Sequence, residues 1–150
     1  MYRADKFYGP GDDVRFPDEA LGIDFEGEFG VIVDAVPMGV TPEQAMRHIR
    51  LVVQINDWSL RAIAPIEMKT GFGWVQAKPA CSMAPFAVTP DELGSGWQDG
   101  RVRLDLVIEW NGRPFGRANG REMAFGLAAA GCDVICADRD KGWVTETVSI

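Results

Sequence analysis

The chain has 150 residues, a formal net charge of -7, 47% hydrophobic residues and 25% charged residues. This is one globular domain's worth of sequence, with enough apolar surface to form a core and too much for a disordered chain. The acidic balance argues against a nucleic-acid backbone or an anionic membrane as partner, and no apolar run approaches the roughly 20 residues of a membrane span.

Seventeen glycines and nine prolines suggest a turn-rich, mainly β chain. The N-terminus, "MYRADKFYGPGDD", lacks the apolar centre of a signal peptide, which points to a cytoplasmic protein. Cys81, Cys132 and Cys136 are odd in number and match neither a disulfide framework nor, with His48 as the only histidine, a zinc spacing. "FYGPGDDVRFPDEALG" reads as an extended lead-in with turns.

The first predicted strand runs from Ile23 to Val33. Its first half, "IDFEGE", sets Asp24, Glu26 and Glu28 at every second position, so a regular strand would carry them on one face. Like charges crowded on a buried face repel, and a hard divalent cation would turn that repulsion into attraction. An exposed polar face of an edge strand produces the same pattern. Pro37 and Gly39 end the segment.

"TPEQAM" opens a helix. Thr41 and Gln44 fit a capping box, and Pro42 falls at the first helical position. The β-branched run "LVVQIN" after it predicts a buried strand, so a short helix should run into a strand. His48, near that junction, reads as structural or exposed. "INDWSLRA" comes next. Asp57, just past the apolar run, is placed to complete a cation site or to cap a helix. Arg61 can hold a carboxylate through its planar fork.

"APIEMKTGFGWVQAKPACSMAP", with its prolines, glycines and aromatics, predicts an irregular loop. Its Lys78 is either partly desolvated, and so able to stabilise developing negative charge, or a snorkelling surface lysine. "FAVTPDELG" reads as a strand end and then a turn or short helix. "RVRLDLVIEW" alternates, with Val102, Leu104, Leu106 and Ile108 on one side. Asn111-Gly112 then signals a hairpin returning through "RPFGRA". The sequence has no repeats, no P-loop and no dinucleotide fingerprint.

Taken in order, these pieces resemble the fumarylacetoacetate hydrolase family, specifically its C-terminal catalytic domain. "YGPGDDVRFP" is similar to the family's "GPGD…P" lead-in, and "IDFEGEFGVIV" to its "DxExE" metal strand. "INDWSLRA" resembles "NDxSxRD". "QAKPACSMAPFAVTPDELG" resembles the loop with the active-site lysine and "TPDEL". "LVIEWNGRPFGRANGREMAF" resembles the later strand and hairpin. The resemblance covers about Phe7 to Phe125. It implies a mainly β (α+β) fold: a mixed β-sheet roll of the fumarylacetoacetase C-terminal-like type, in incomplete form. The partial domain would span 1–126, with a divergent segment at 127–150.

The resemblance also implies roles. Glu26, Glu28 and Asp57 match carboxylate ligands to Mg²⁺ (or Mn²⁺ or Ca²⁺), with Ser82 near the metal shell and Asp24 in support. Lys78 matches the active-site lysine, and Arg61 an arginine near the substrate. The implied activity is metal-dependent cleavage of C–C bonds in β-diketo acids, of the fumarylacetoacetate or acylpyruvate class, through a metal-stabilised enolate. Some relatives decarboxylate oxaloacetate or isomerise ring-opened aromatic catabolites, which places the implied activity in aromatic-compound catabolism. The partner would be a small β-diketo or 2-oxo acid, and the usual assembly a homodimer.

The sequence also departs from the pattern. Ala62 stands where "NDxSxRD" ends in an acidic residue. No histidine precedes the metal strand, an upstream acidic ligand of some members has no counterpart, and the late Gly-Thr motif is missing. A truncation or reading-frame change in the last two dozen residues is therefore expected. Two further readings stand beside the enzyme: a catalytically impaired fragment that only binds a divalent metal, or a β-rich interaction module with an acidic face.

Overall fold

The computed structural model describes residues 7–124 and 126–127. Among these, strands dominate. They are β1 (Phe7–Tyr8), β2 (Ile23–Asp24), β3 (Gly27–Val33), β4 (Ile49–Asp57), β5 (Ser59–Leu60), β6 (Cys81–Val88), β7 (Trp97–Gln98), β8 (Arg101–Val102), β9 (Asp105–Trp110) and β10 (Arg113–Asn119). Two five-residue helices, α1 (Pro42–Met46) and α2 (Ala64–Met68), interrupt them. The chain is thus mainly β, as the sequence implies. The expected departure over 127–150, and Cys132 and Cys136 with it, lies outside the described residues apart from Leu127.

The central sheet has four strands in the order β1-β6-β4-β3. β1 runs parallel to β6, while β6 and β3 run antiparallel to β4, so the sheet is mixed. β4 lies inside the sheet and its Val52 and Val53, which point to opposite faces, are both buried. This explains why "LVVQIN" shows no alternation. α1 forms as its sequence dictates: Thr41 and Gln44 cap each other's backbone N–H groups and Pro42 sits in the first turn. Ala45 and Ile49 then bury together, with Val31, Val40, Met46 and Trp97 around them.

Three two-stranded ladders complete the architecture: β2 with β5, β7 with β8, and β9 with β10. The β9–β10 turn has Asn111 at φ 52° and Gly112 at φ 71°, the left-handed pair that a two-residue hairpin turn demands. β7 and β8 are joined in the same way by Asp99 (φ 54°) and Gly100 (φ 71°), an Asp-Gly signal equally legible in the sequence and overlooked there.

The structure corrects three expectations. The strand expected over Ile23 to Val33 is two strands, because the chain leaves the β2–β5 ladder at Phe25 and Glu26 before joining β4 as β3. The irregular loop expected from Ala64 to Pro85 begins with α2 and ends inside β6. The alternating run from Val102 to Ile108 breaks at Arg103 and Leu104. Val102 and Leu106 are buried, but Leu104 is exposed and rests over Gly96, where a Cβ would lie 2.8 Å from its Cγ.

Candidate metal centre

The register of three adjacent strands assembles the site. In the β3–β4 pair Gly27 faces Asn56 and Glu28 faces Ile55. Glu26 continues that register, with its carbonyl accepting the Asp57 amide at 2.9 Å. Side chains two apart share a face, so Glu26, Glu28 and Asp57 point to the same side of the sheet. In the β4–β6 pair Asp57 faces Cys81, which adds the thiol to this row.

The three carboxylates converge, each offering one oxygen within 4.8 Å of the other two. Glu26 and Asp57 are each only 2% exposed. Lys78, 4% exposed, lies between them, and its Nζ donates to Glu26 Oε2 at 2.5 Å and Asp57 Oδ2 at 2.8 Å. A snorkelling surface lysine is therefore excluded. Burial alone would lower the Lys78 pKa, but the bonds to Asp57 and Glu26 raise it above its ordinary value, so the side chain stays an ammonium.

Arg61 forms the rim. Its Nε donates to Asp24 Oδ2 at 2.8 Å and its Nη2 lies 2.7 Å from Glu26 Oε1. The arginine is 46% exposed at its side chain, so the fork reaches from the buried trio towards solvent. Burial pulls the Asp24 carboxyl up, but Arg61 and the Phe25 amide bring it below the usual range.

Glu28 differs from its neighbours. Its Oε1 is buried with no hydrogen-bond partner among the described residues. Burial, then the charges of Asp57 and Glu26, push its carboxyl up to about 7. A buried oxygen without a donor is costly, and so is a third carboxylate beside two others. Both costs disappear if a cation sits among the three. All three donors are hard oxygens, which suits Mg²⁺, Mn²⁺ or Ca²⁺. The residues present therefore fit a divalent ion.

Not every expected residue joins this group. Ser82 faces Asn56, one position out of step with Asp57, so it lies on the opposite face, where Trp58 Nε1 donates to its Oγ at 2.9 Å. Asp57 ends β4 and caps no helix. His48 bonds Asp34 Oδ1 through Nδ1 at 2.5 Å. It precedes β4, roughly 30 Å from Asp57 at about 3.3 Å per strand residue.

Cys81 is a wall residue that sequence reasoning did not find. Its Sγ donates to Asp57 Oδ1 at 3.3 Å. Burial, then the nearby Asp57 charge, push the thiol up to about 12, so it is protonated and a poor nucleophile. Only strand register could have revealed it.

The family model for the fumarylacetoacetate (FAA) hydrolase C-terminal domain matches residues 1–130. The chain is 31% identical over 123 residues to the 2,4-didehydro-3-deoxy-L-rhamnonate hydrolase of Sphingomonas sp. (strain SKA58), covering 80% of this chain and 40% of that protein. Its fold matches 2-hydroxyhepta-2,4-diene-1,7-dioate isomerase from Mycobacterium marinum with a TM-score of 0.67 at 25% identity, over 86% of this chain and 48% of the other. Fumarylpyruvate hydrolase from Pseudomonas aeruginosa, solved in complex with Mn²⁺ and pyruvate, shares the fold with a TM-score of 0.65 at 14% identity, over 87% of this chain and 55% of the other. The chain spans about 40% of the length of the Sphingomonas relative.

Proposed function

This chain belongs to the fumarylacetoacetate hydrolase family, and on that premise we propose that it carries the centre of a divalent-metal-dependent hydrolase or lyase cleaving C–C bonds of β-diketo acids of the fumarylacetoacetate or acylpyruvate class. One observation carries the reading: Glu26, Glu28 and Asp57 converge within 4.8 Å while Glu28 keeps a buried oxygen unbonded. The Sphingomonas relative is a hydrolase by name, and a solved structure of the same fold contains Mn²⁺ and pyruvate. Both support the reading.

Glu26, Glu28 and Asp57 would hold Mg²⁺ or Mn²⁺. When bound, the ion supplies a Lewis acid for the oxygens of a 1,3-dicarbonyl or 2-oxo acid. The remaining chemistry belongs to the side chains. Lys78 keeps its proton at Nζ and presents a fixed positive charge in a buried site, where charge developing on substrate oxygen is stabilised most strongly. The same protonation rules it out as a general base or Schiff-base amine. Arg61 spends donors on Asp24 and Glu26 and keeps others for a substrate carboxylate at the open side. Asp24 fixes the direction of that fork.

The test is turnover of an acylpyruvate, monitored by pyruvate release, with Mn²⁺ or Mg²⁺ and then with a chelator. Activity should require the ion and disappear in Glu26→Ala and Asp57→Ala. Turnover indifferent to both chelation and these variants overturns the reading. Arg61→Lys should raise KM about tenfold with a smaller effect on kcat, because an ammonium cannot reproduce the bidentate fork.

The position of His48 favours a second reading. With the only histidine at the far end of β4, the described site offers no imidazole to activate water. Decarboxylation, tautomerisation or metal binding without turnover needs no activated water. Solvent deuterium entering pyruvate or oxaloacetate, without cleavage of the acylpyruvate, would favour it.

A further inference from the structure

We infer that Glu67 is a positioning residue for Lys78: its carboxylate fixes the backbone of the segment that delivers the ammonium into the carboxylate trio. The inference rests on the reading of that trio as the functional site. Glu67 lies in α2, outside the site. Its Oε2 accepts the amides of Val75 at 2.9 Å and Ala77 at 3.1 Å, and its Oε1 accepts that of Gln76 at 2.8 Å. Three consecutive amides thus converge on one carboxylate, and the next residue is Lys78.

The segment is held from the other side as well. The Ala77 carbonyl accepts the Leu60 amide at 2.8 Å, which ties it to β5, three residues beyond Asp57. Ala77 is fully buried, and both its amide and its carbonyl are engaged. Without Glu67 the Val75, Gln76 and Ala77 amides lose their acceptor, and among the described residues "GFGWVQ" has no strand partner to replace it. Lys78 must span from this backbone to Glu26 and Asp57 together, so a shift of about 1 Å in the segment loosens both ammonium bonds. The carboxylate is required for this. A Gln amide can turn only one oxygen to the three donors and sets its own N–H₂ against the rest.

The experiment uses the full chain. Lys78 acylation by a small amine-reactive ester is measured at one pH by peptide mass mapping, with exposed Lys69 as the internal reference. Mn²⁺ affinity is measured in parallel. Glu67→Gln should raise Lys78 labelling relative to Lys69 about tenfold. It should also tighten Mn²⁺ binding about threefold, because a competing cation leaves the carboxylates. Glu67→Asp keeps the charge but falls short by about 1.5 Å, one C–C bond, and should show a smaller change in the same direction. It also carries the test if Glu67→Gln does not fold. Val102→Ala, a cavity variant in the core, controls for general loosening. The inference is overturned if Lys78 stays protected in both Glu67 variants, or if Val102→Ala exposes it equally at the same loss of melting temperature. If wild-type protein binds no Mn²⁺, the metal reading falls, and the labelling alone decides for or against Glu67.

Discussion

Glu28 is the residue at which the site's electrostatics can be read most directly. Without a cation its carboxyl is pushed from 4.5 up to about 7 by burial and by Asp57 and Glu26. The folded state then binds more protons than the unfolded chain between pH 4.5 and 7, so stability falls as pH rises through that window. Below it the carboxyl is protonated in both states and the penalty is absent. The slope is about 1.4 kcal/mol per pH unit at most, and a divalent ion should flatten it. Urea unfolding in chelator at pH 5 and pH 8 should therefore find the protein more stable at pH 5. Glu28→Gln should abolish this contribution, stabilise the chelated protein at pH 8 and remove its response to Mn²⁺. A chelated wild type that gains stability from pH 5 to pH 8 by the same amount as Glu28→Gln would contradict this account.

At the scale of elements, turns and register do most of the positioning. The β9–β10 turn places Gly112 in left-handed backbone with open space around its Cα, so a methyl group there meets strain and no clash. Gly112→Ala should cost about 1 kcal/mol in urea unfolding, since the left-handed conformation is unfavourable for any residue with a Cβ. The break between β2 and β3 matters more for function. A single strand would have continued past Asp24 in one ladder. Leaving β5 at Phe25 lets Glu26 enter the register opposite Asp57, while Asp24 stays with Arg61. The alternation in "IDFEGE" was legible in the sequence. The change of ladder was not, because it depends on which strands are available as partners.

For the whole molecule, two expectations can be measured. Mn²⁺ should raise the melting temperature, and Glu26→Ala should abolish the rise, because an ion bound only by the folded state stabilises it by mass action. A melting temperature indifferent to Mn²⁺ would favour the acidic interaction module. Association is the second. Among the described residues β3 is an edge strand of the central sheet with Ile32 and Val33 40% and 45% exposed, and the Trp110–Phe115–Phe25 aromatic group leaves Trp110 59% exposed. Exposed edges and aromatic surface favour pairing between chains. Light scattering should return twice the 16.5 kDa of one chain, and a monomer at high concentration would count against the homodimer.

The sequence by itself determined the features that local chemistry and spacing dictate. The capped start of α1, the buried run of β4, the Asn-Gly hairpin and the carboxylates at alternate positions are all properties of short segments. So is the family resemblance, which named Glu26, Glu28, Asp57, Lys78 and Arg61. Tertiary structure alone decided which of these residues meet. Ser82 and Cys81 are neighbours in the chain, yet strand pleating turns Cys81 towards Asp57 and Ser82 towards Trp58. Glu67 has no motif at all, because its role depends on α2 lying beside residues 75–77. Periodicity specifies a face, but only pairing between strands specifies what that face meets.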